Sequence, residues 1–262
     1  GFSIGKNMKK EQIAVTMFTL RDFCKNEEGY TDSLKKVSKI GYKNIQISGV
    51  KVETKKIKEI ADAFNLNICA THEPAADILG KPQEVVERLN VLDCKHTAFP
   101  NVAKYPIKTK KDVVDLARKL DKSGEILKRN GKILSYHNHE YEFARIEGKT
   151  ILETIFENTD SEHLKAELDT HWVQRGGANP TTWCKLMRKR LPLLHLKDYI
   201  VTTDRETLFG EIGSGNLEWY SIIEEARRSE CEWYIVEQDH SLIDPFESIK
   251  MSYNFLVENF AS

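Results

Sequence analysis

The sequence predicts a single (β/α)8, or TIM, barrel over residues 1–262. About eight short apolar or β-branched segments alternate with longer segments of helical periodicity, and no low-complexity linker interrupts them. The length of 262 residues also suits a barrel of this kind, which typically has about 250 residues. The alternative is an open doubly wound sheet. That fold normally has a glycine-rich phosphate loop after its first strand, and the segment VTMFTLRDF contains none.

The predicted strands are short and mostly aliphatic, as buried barrel strands should be. In chain order they are QIAVTMFTL from Gln12, YKNIQIS from Tyr42, NICATH from Asn67, HTAFP from His96, KILSYHNH from Lys132, LKAELDTHW from Leu164, LPLLHLKD from Leu191 and WYIVEQD from Trp233.

Several of the intervening helices have start and stop signals. Pro180 suits the first helical position, where no backbone donor is needed. Gly41 and Gly131 can adopt the left-handed conformation that ends a helix. Residues whose side-chain oxygen can cap a first turn are Thr31, Thr54, Thr109 and Asn179.

Composition narrows the class of protein. Lys and Arg number 39 against 40 Asp and Glu, which gives a net charge of −1 and argues against a nucleic-acid-binding protein. No apolar run approaches the ~18 residues of a membrane span, so we expect a soluble protein. The five cysteines are isolated, which predicts neither a disulfide framework nor a CxxC site. The compartment stays open: cytoplasmic, or exported if an export signal has been removed.

Ionisable residues gather at the predicted carboxyl ends of the strands, where barrel enzymes carry their catalytic groups. Six of the eight histidines occupy such positions or lie beside them. The strand ends read His72-Glu73, His137-Asn138-His139-Glu140, Asp169-Thr170-His171-Trp172, His195-Leu196-Lys197-Asp198 and Glu237-Gln238-Asp239.

The alternation of side chains along a strand predicts which of these residues face the same way. Imidazole nitrogens and carboxylate oxygens that converge from successive strands favour Mn, Zn, Co or Fe over an all-oxygen calcium site. We therefore expect a divalent metal ion. The pairs that share a face are His137 with His139, Asp169 with His171, His195 with Lys197, and Glu237 with Asp239.

Five motifs in order, YHNHEYEF, ELDTHW followed by GGANP, LLHLKD, GEIGSGNLEW and YIVEQD, resemble the sugar phosphate isomerase/epimerase family of xylose isomerase-like TIM barrels. The resemblance implies a metal ligand from each of the last four strands, with Asp169, His195 and Glu237 matching three of them. The fifth strand departs from the pattern, because ketose epimerases place a glutamate where this chain has His137. The remaining ligand is therefore His137 or His139, or Glu142 from the following loop.

The chemistry that this set of residues predicts is proton abstraction beside a carbonyl. A divalent ion that chelates a sugar carbonyl and its neighbouring hydroxyl acidifies the adjacent C–H, and Lys197 can stabilise the charge of the resulting enediolate. His137 or His139 is the expected base, and Glu237 is a ligand and a second acid/base. Reprotonation gives isomerisation or epimerisation, whereas loss of a β-leaving group gives elimination.

Substrate contacts are predicted around the same strand ends. The loop GEIGSGNLEW after the seventh strand lacks the Lys-Ser/Thr of a phosphate-binding P-loop, and we expect its glycines to let it fold over the barrel mouth. Trp172 suits stacking against a sugar ring. The expected substrate-binding residues are His72, Glu73, His171, Trp172 and Glu211.

The expected function is thus that of a metal-dependent isomerase or epimerase acting on a small, unphosphorylated carbohydrate, with a possible homo-oligomeric state and no nucleic-acid or membrane partner. The nearest alternative is a lyase or dehydratase acting on a keto-sugar or 3-keto-glycoside. Two further alternatives are a carbohydrate-binding barrel without catalysis and a DNA repair phosphodiesterase. The last would need more metal ligands and a basic groove.

Overall fold

Eight parallel strands close into a barrel in the computed structural model, which describes residues 8–102 and 104–262. Each strand pairs with its neighbours in chain order, and the eighth pairs with the first. This confirms the predicted (β/α)8 barrel. The strands are β1 (Ile13–Thr16), β2 (Asn44–Ile47), β3 (Asn67–His72), β4 (His96–Phe99), β5 (Ile133–His137), β6 (Lys165–Asp169), β7 (Leu193–Leu196) and β8 (Trp233–Val236).

Helices surround the barrel, and a β-hairpin of Asp198–Val201 and Thr207–Gly210 follows β7. Within the described ranges, no helix is both long enough and apolar enough to span a bilayer. The α-helices there are α1 (Glu27–Ile40), α2 (Thr54–Ala63), α3 (Ala75–Gly80), α4 (Pro82–Val91), α5 (Lys110–Arg129), α6 (Ile151–Glu157), α7 (Thr170–Arg175), α8 (Pro180–Leu186), α9 (Trp219–Arg228) and α10 (Pro245–Asn259).

Most of the predicted helix ends are confirmed. The side chain of Thr109 accepts a hydrogen bond from the first turn of α5, and that of Asn179 does the same for α8. Pro180 is the first residue of α8. Gly41 and Gly131 have φ angles of 126° and 74°, which are accessible to glycine at low cost.

Two predicted N-caps are wrong. Helix α1 begins at Glu27, about a turn before Thr31, because Asn26 caps it by accepting a hydrogen bond from Gly29. The acidic residues in its first turn also favour the positive end of the helix dipole. Thr54 is the first helical residue of α2, and its N-cap is Glu53.

A small apolar layer inside the barrel underlies the polar groups at the carboxyl ends of the strands. Because side chains alternate along a strand, Leu193 points to the same side as His195, and Ile235 to the same side as Glu237. Leu193 and Ile235 belong to a small buried apolar cluster that is separate from the main core between barrel and helices. The polar groups therefore lie at the carboxyl ends of the strands, above an apolar base.

Candidate metal centre

The strand register brings the predicted ligands together. His137 of β5 is the register partner of Glu167 in β6, and Asp169 of β6 is the partner of His195 in β7. Glu237 directly follows β8. All five side chains are buried, so each polar atom among them must find a partner within the barrel.

Four of these groups can hold one cation: His137, Asp169, His195 and Glu237. Oδ2 of Asp169 lies 3.7 Å from Nε2 of His137 and 4.0 Å from Nδ1 of His195, which is 3.3 Å from Oε1 of Glu237. Ligand bonds of ~2.0–2.2 Å allow two ligands of one ion to be up to about 4.4 Å apart. Among the described residues, His195 Nδ1 finds no hydrogen-bond partner, and Asp169 Oδ2 has the Lys197 ammonium at 2.8 Å as an ion-pair partner. The donor set therefore fits a divalent ion.

On the other side of the same imidazoles lies a carboxylate that the sequence analysis did not single out. Oε1 of Glu167 lies 2.5 Å from Nε2 of His72, 3.0 Å from Nδ1 of His137 and 3.0 Å from Nε2 of His195. Gln46 donates to Oε2 of Glu167 at 2.8 Å, and its own oxygen lies 2.8 Å from Nε2 of His195. Glu167 and Gln46 thus join the site from β6 and β2.

Charge in this inner network is concentrated on Glu167 and His195. Burial opposes ionisation of Glu167, but its electrostatic interactions with His195 and the other histidines around it outweigh burial and hold the pKa of Glu167 well below its usual value. Burial likewise opposes protonation of His195, and Glu167 with Glu237 raises the pKa of His195 well above its usual value. At His137, burial and the neighbouring His195 lower the pKa to about 4.

The ammonium of Lys197 is fully buried among three carboxylates. It lies 2.8 Å from Oδ2 of Asp169, 2.7 Å from Oε1 of Glu237 and 2.5 Å from Oδ1 of Asp239. Burial opposes its charge, and these carboxylates overcome that effect and raise the pKa of Lys197. Lys197 therefore stays charged and holds the carboxylates in place.

A cavity of about 220 Å³ opens beside these groups. A volume of this size suits a small ligand rather than a macromolecule. Its lining residues are Phe18, Ser48, His72, Pro100, Asn101, His137, His139, Glu237 and Asp239.

His139 differs from the other histidines of the cavity because it belongs to neither ligand group. Its ring stacks on Tyr141, with centroids 5.7 Å apart and planes 8° apart. Burial lowers the pKa of His139 to about 2, and the proximity of His137 and of the Lys197 ammonium contributes to the shift. It is therefore a neutral imidazole at neutral pH.

His171 and Trp172 lie outside the ligand set because strand alternation stops at Asp169. Helix α7 begins at the next residue, and the Asp169 side chain caps it by accepting from Trp172 N. Nδ1 of His171 donates to the backbone oxygen of Asp198 at 2.8 Å. Trp172 packs against the rings of His139 and Phe209.

Three other predicted residues are engaged elsewhere. Glu73 forms an ion pair with Arg88 at 2.9 Å, and Glu211 accepts a hydrogen bond from Ser248 of α10. Neither lines the cavity described above. Glu142 accepts hydrogen bonds from the Tyr136 hydroxyl at 2.6 Å and from the His139 backbone at 2.7 Å, and it does not belong to either ligand group.

The glycine-rich segment after β7 wraps around Asp198 instead of covering the mouth. Asp198 accepts hydrogen bonds from backbone N–H groups of Gly213, Gly215 and Leu217, and from the Trp219 indole. This close approach explains the glycines, because a Cβ at Gly215 would lie 2.6 Å from Oδ1 of Asp198.

The family model described as xylose isomerase-like TIM barrel matches residues 34–258. The chain belongs to this family. Its resemblance to the sugar phosphate isomerases and epimerases is therefore confirmed at the level of the family.

Two solved structures are similar to this xylose isomerase-like barrel over almost its whole length. A sugar phosphate isomerase/epimerase from Parabacteroides distasonis is 21% identical with a TM-score of 0.82, covering 99% of this chain and 97% of that one. An L-ribulose 3-epimerase is 14% identical with a TM-score of 0.72, covering 95% of this chain and 94% of that one. At these identities the likeness shows the fold alone.

The sequence of this xylose isomerase-like barrel is also similar to that of the inosose dehydratase of Mesomycoplasma hyopneumoniae. It is 27% identical over 169 residues, which cover 58% of this chain. The match covers 56% of the dehydratase, so this chain spans only about half the length of that relative.

Proposed function

We propose that this protein is a divalent-metal-dependent enzyme that removes a proton beside a carbonyl of a small carbohydrate, with isomerisation or epimerisation as the outcome. The observation that carries the proposal is the convergence of two imidazoles and two carboxylates next to a cavity, which His137 and Glu237 of this set line together with a neutral imidazole. The metal-ligand set is His137, Asp169, His195 and Glu237, and the neutral imidazole is His139.

Charge supports a cation at this position. Asp169, Glu237 and Asp239 surround the single ammonium of Lys197, so three carboxylates share one ammonium at this position. Burial raises the pKa of Asp169 to about 7 against the opposing effect of Lys197, and the negative charge of Glu237 raises it further. A divalent ion, when bound, would offset this charge and polarise a chelated carbonyl and hydroxyl so that the adjacent C–H becomes more acidic.

His139 is the proposed proton acceptor. Both ring nitrogens of His137 face carboxylates, namely Glu167 and Asp169, so His137 is engaged as a ligand. His139 lines the same cavity without such contacts to carboxylates. Its stacking on Tyr141 orients the ring, and its unprotonated nitrogen has the lone pair that a general base needs. Since a general base works best with a pKa near the operating pH, this role requires that bound substrate raise the pKa of His139 above its value in the empty cavity.

Elimination is the alternative outcome, and one feature of the site favours it. Epimerisation needs a second acid/base group on the opposite face of the substrate, and β5 supplies His137 where ketose epimerases have a glutamate. A single base suffices for loss of a β-leaving group, as in a dehydratase. The sequence similarity to an inosose dehydratase supports the same alternative.

The test is solvent deuterium uptake by unphosphorylated ketoses and keto-cyclitols, followed by NMR with Mn²⁺- or Co²⁺-loaded protein. We expect His139→Gln to lose deuterium incorporation by at least about 100-fold, the scale of general base catalysis, while it keeps its metal. An isomeric product supports isomerisation or epimerisation, and an unsaturated product supports elimination.

Glu232→Gln is the matched control, because this residue pairs with His96 at the other end of the barrel. Deuterium uptake by His139→Gln at the wild-type rate would overturn the assignment of the base. Binding of a sugar with no exchange in any variant would favour a carbohydrate-binding barrel without catalysis.

A further inference from the structure

Glu167 is a carboxylate inside the barrel lumen that three imidazoles approach at once. His72, His137 and His195 come from β3, β5 and β7, and each places one ring nitrogen within 3.0 Å of Oε1. Glu167 has no exposed surface. A buried carboxylate accepts hydrogen bonds and donates none, so it determines which nitrogen of each ring carries a proton.

For His195, contacts that do not involve a metal ion determine which ring nitrogen carries a proton. Gln46 donates its amide nitrogen to Oε2 of Glu167, which turns the amide oxygen toward Nε2 of His195. Nε2 thus lies between two acceptors, Gln46 Oε1 at 2.8 Å and Glu167 Oε1 at 3.0 Å. Nε2 must therefore carry a proton whether the ring is neutral or charged. The nitrogen that can give up its proton to coordinate a cation is then Nδ1, which faces Glu237 at 3.3 Å.

His137 approaches the same oxygen with the opposite ring nitrogen. Its Nδ1 lies 3.0 Å from Glu167 Oε1, an ion-pair contact without the angles of a full hydrogen bond, and its Nε2 lies 3.7 Å from Asp169 Oδ2. One carboxylate therefore selects Nε2 of His137 and Nδ1 of His195 as the free nitrogens. Both free nitrogens face Asp169, on the side of the rings away from Glu167.

We propose that Glu167 is the positioning residue of the metal centre: it orients both histidine ligands and fixes Nε2 of His137 and Nδ1 of His195 as the coordinating atoms. This inference rests on the proposed function, since it takes the cation to be held by the group that contains Asp169 and Glu237. It also accounts for the second group of converging residues, which contains His72 and Glu167. A ring nitrogen that keeps a proton directed at Glu167 cannot also coordinate a metal ion there.

The experiment uses Zn²⁺-loaded full-length protein labelled with ¹⁵N-histidine, and long-range ¹H–¹⁵N spectra that distinguish protonated from coordinated ring nitrogens. In the wild type we expect Nδ1 of His137 and Nε2 of His195 to be protonated. Glu167→Gln keeps the shape but can no longer accept from several imidazoles. We expect it to bind Zn²⁺ about 10–100-fold more weakly in a chelator competition, as for other residues that support metal ligands, with mixed tautomers.

Glu232→Gln again serves as control, because it too removes a carboxylate that contacts a histidine, 3.0 Å from His96. Its Zn²⁺ affinity and the His137 and His195 tautomers should equal those of the wild type. Unchanged affinity and tautomers in Glu167→Gln would overturn the role of Glu167 while leaving the metal site intact. Absence of Zn²⁺ binding by the wild type would overturn the proposed function and, with it, this inference. If Glu167→Gln does not fold, the wild-type spectrum still decides, since the opposite pair of coordinating nitrogens contradicts the proposal.

Discussion

The side-chain nitrogen of Lys197 lies 2.7 Å from Oε1 of Glu237, although both residues are almost fully withdrawn from solvent. The same ammonium also contacts Asp169 and Asp239. Buried ionic groups are tolerated only when their charges are paired, because the cost of removing each charge from water is large. Lys197 therefore supplies the counter-charge for the buried carboxylates around it and favours their ionised forms against the effect of burial.

Replacing Lys197 with Met should destabilise the metal-free protein strongly. The substitution keeps much of the apolar stem but leaves Asp169 and Glu237 without their counter-charge, at an expected cost of about 3–5 kcal/mol in unfolding free energy. Urea unfolding in EDTA measures this. Lys149→Met is the control, since Lys149 forms an exposed ion pair with Glu157 and its replacement should leave the unfolding free energy nearly unchanged. Equal losses in both variants would contradict the central role of Lys197.

The Asp198 hydrogen-bond network makes a second prediction. An alanine Cβ at position 215 would lie 2.5 Å from the backbone oxygen of Tyr199, so Gly215→Ala should displace that loop and cost about 1–3 kcal/mol. Gly80→Ala is the comparison, because a Cβ at Gly80 meets no atom within 4 Å. Thermal unfolding of the two variants separates the effects. A Gly215→Ala protein as stable as Gly80→Ala would show that the approach to Asp198 is not tight.

Glu142 predicts a pH dependence of stability. Burial raises its pKa to about 7, against the hydrogen bonds from Tyr136 and His139 that favour the charged form. Since the unfolded chain has a pKa near 4.5, the native state holds this proton more tightly. The stability that Glu142 contributes is complete below about pH 4.5 and is lost as the pH rises through 7.

The measurement is urea unfolding of the wild type and Glu142→Gln between pH 5 and pH 8. Because the glutamine cannot ionise, the variant should gain about 2–3 kcal/mol relative to the wild type over this range. A difference between the two proteins that does not change with pH would mean that Glu142 titrates normally.

Much of the candidate site could be predicted from sequence because barrel topology is simple. Polar residues at the ends of apolar strands have one place to meet, so Asp169, His195 and Glu237 were identifiable without coordinates, while the ligand from the fifth strand stayed open among His137, His139 and Glu142. His171 did not fit the alternation because Asp169 caps the helix that starts at the next residue. The sequence pattern of one strand does not show whether the strand continues past Asp169 or gives way to a helix at that residue.

Glu167 and Gln46 show what the strand pattern alone could not supply. Glu167 lies two residues before Asp169 and so shares its face, which was the available signal. A charged side chain in a buried strand is nevertheless stable only where hydrogen-bond or ion-pair partners surround it. The partners of Glu167 come from β2, β3, β5 and β7. Barrel closure brings these strands together, and that proximity is absent from any local segment of sequence.

The central claim is that β5–β8 hold a divalent ion through His137, Asp169, His195 and Glu237. Elemental analysis of EDTA-treated protein reconstituted with Mn²⁺, Co²⁺ or Zn²⁺ tests it most directly, with wild type beside Asp169→Ala, His195→Ala and the control Glu232→Gln. We predict near-stoichiometric metal in the wild type and the control, and its loss in both ligand variants. A wild type that binds no ion, or ligand variants that retain it fully, would contradict the claim.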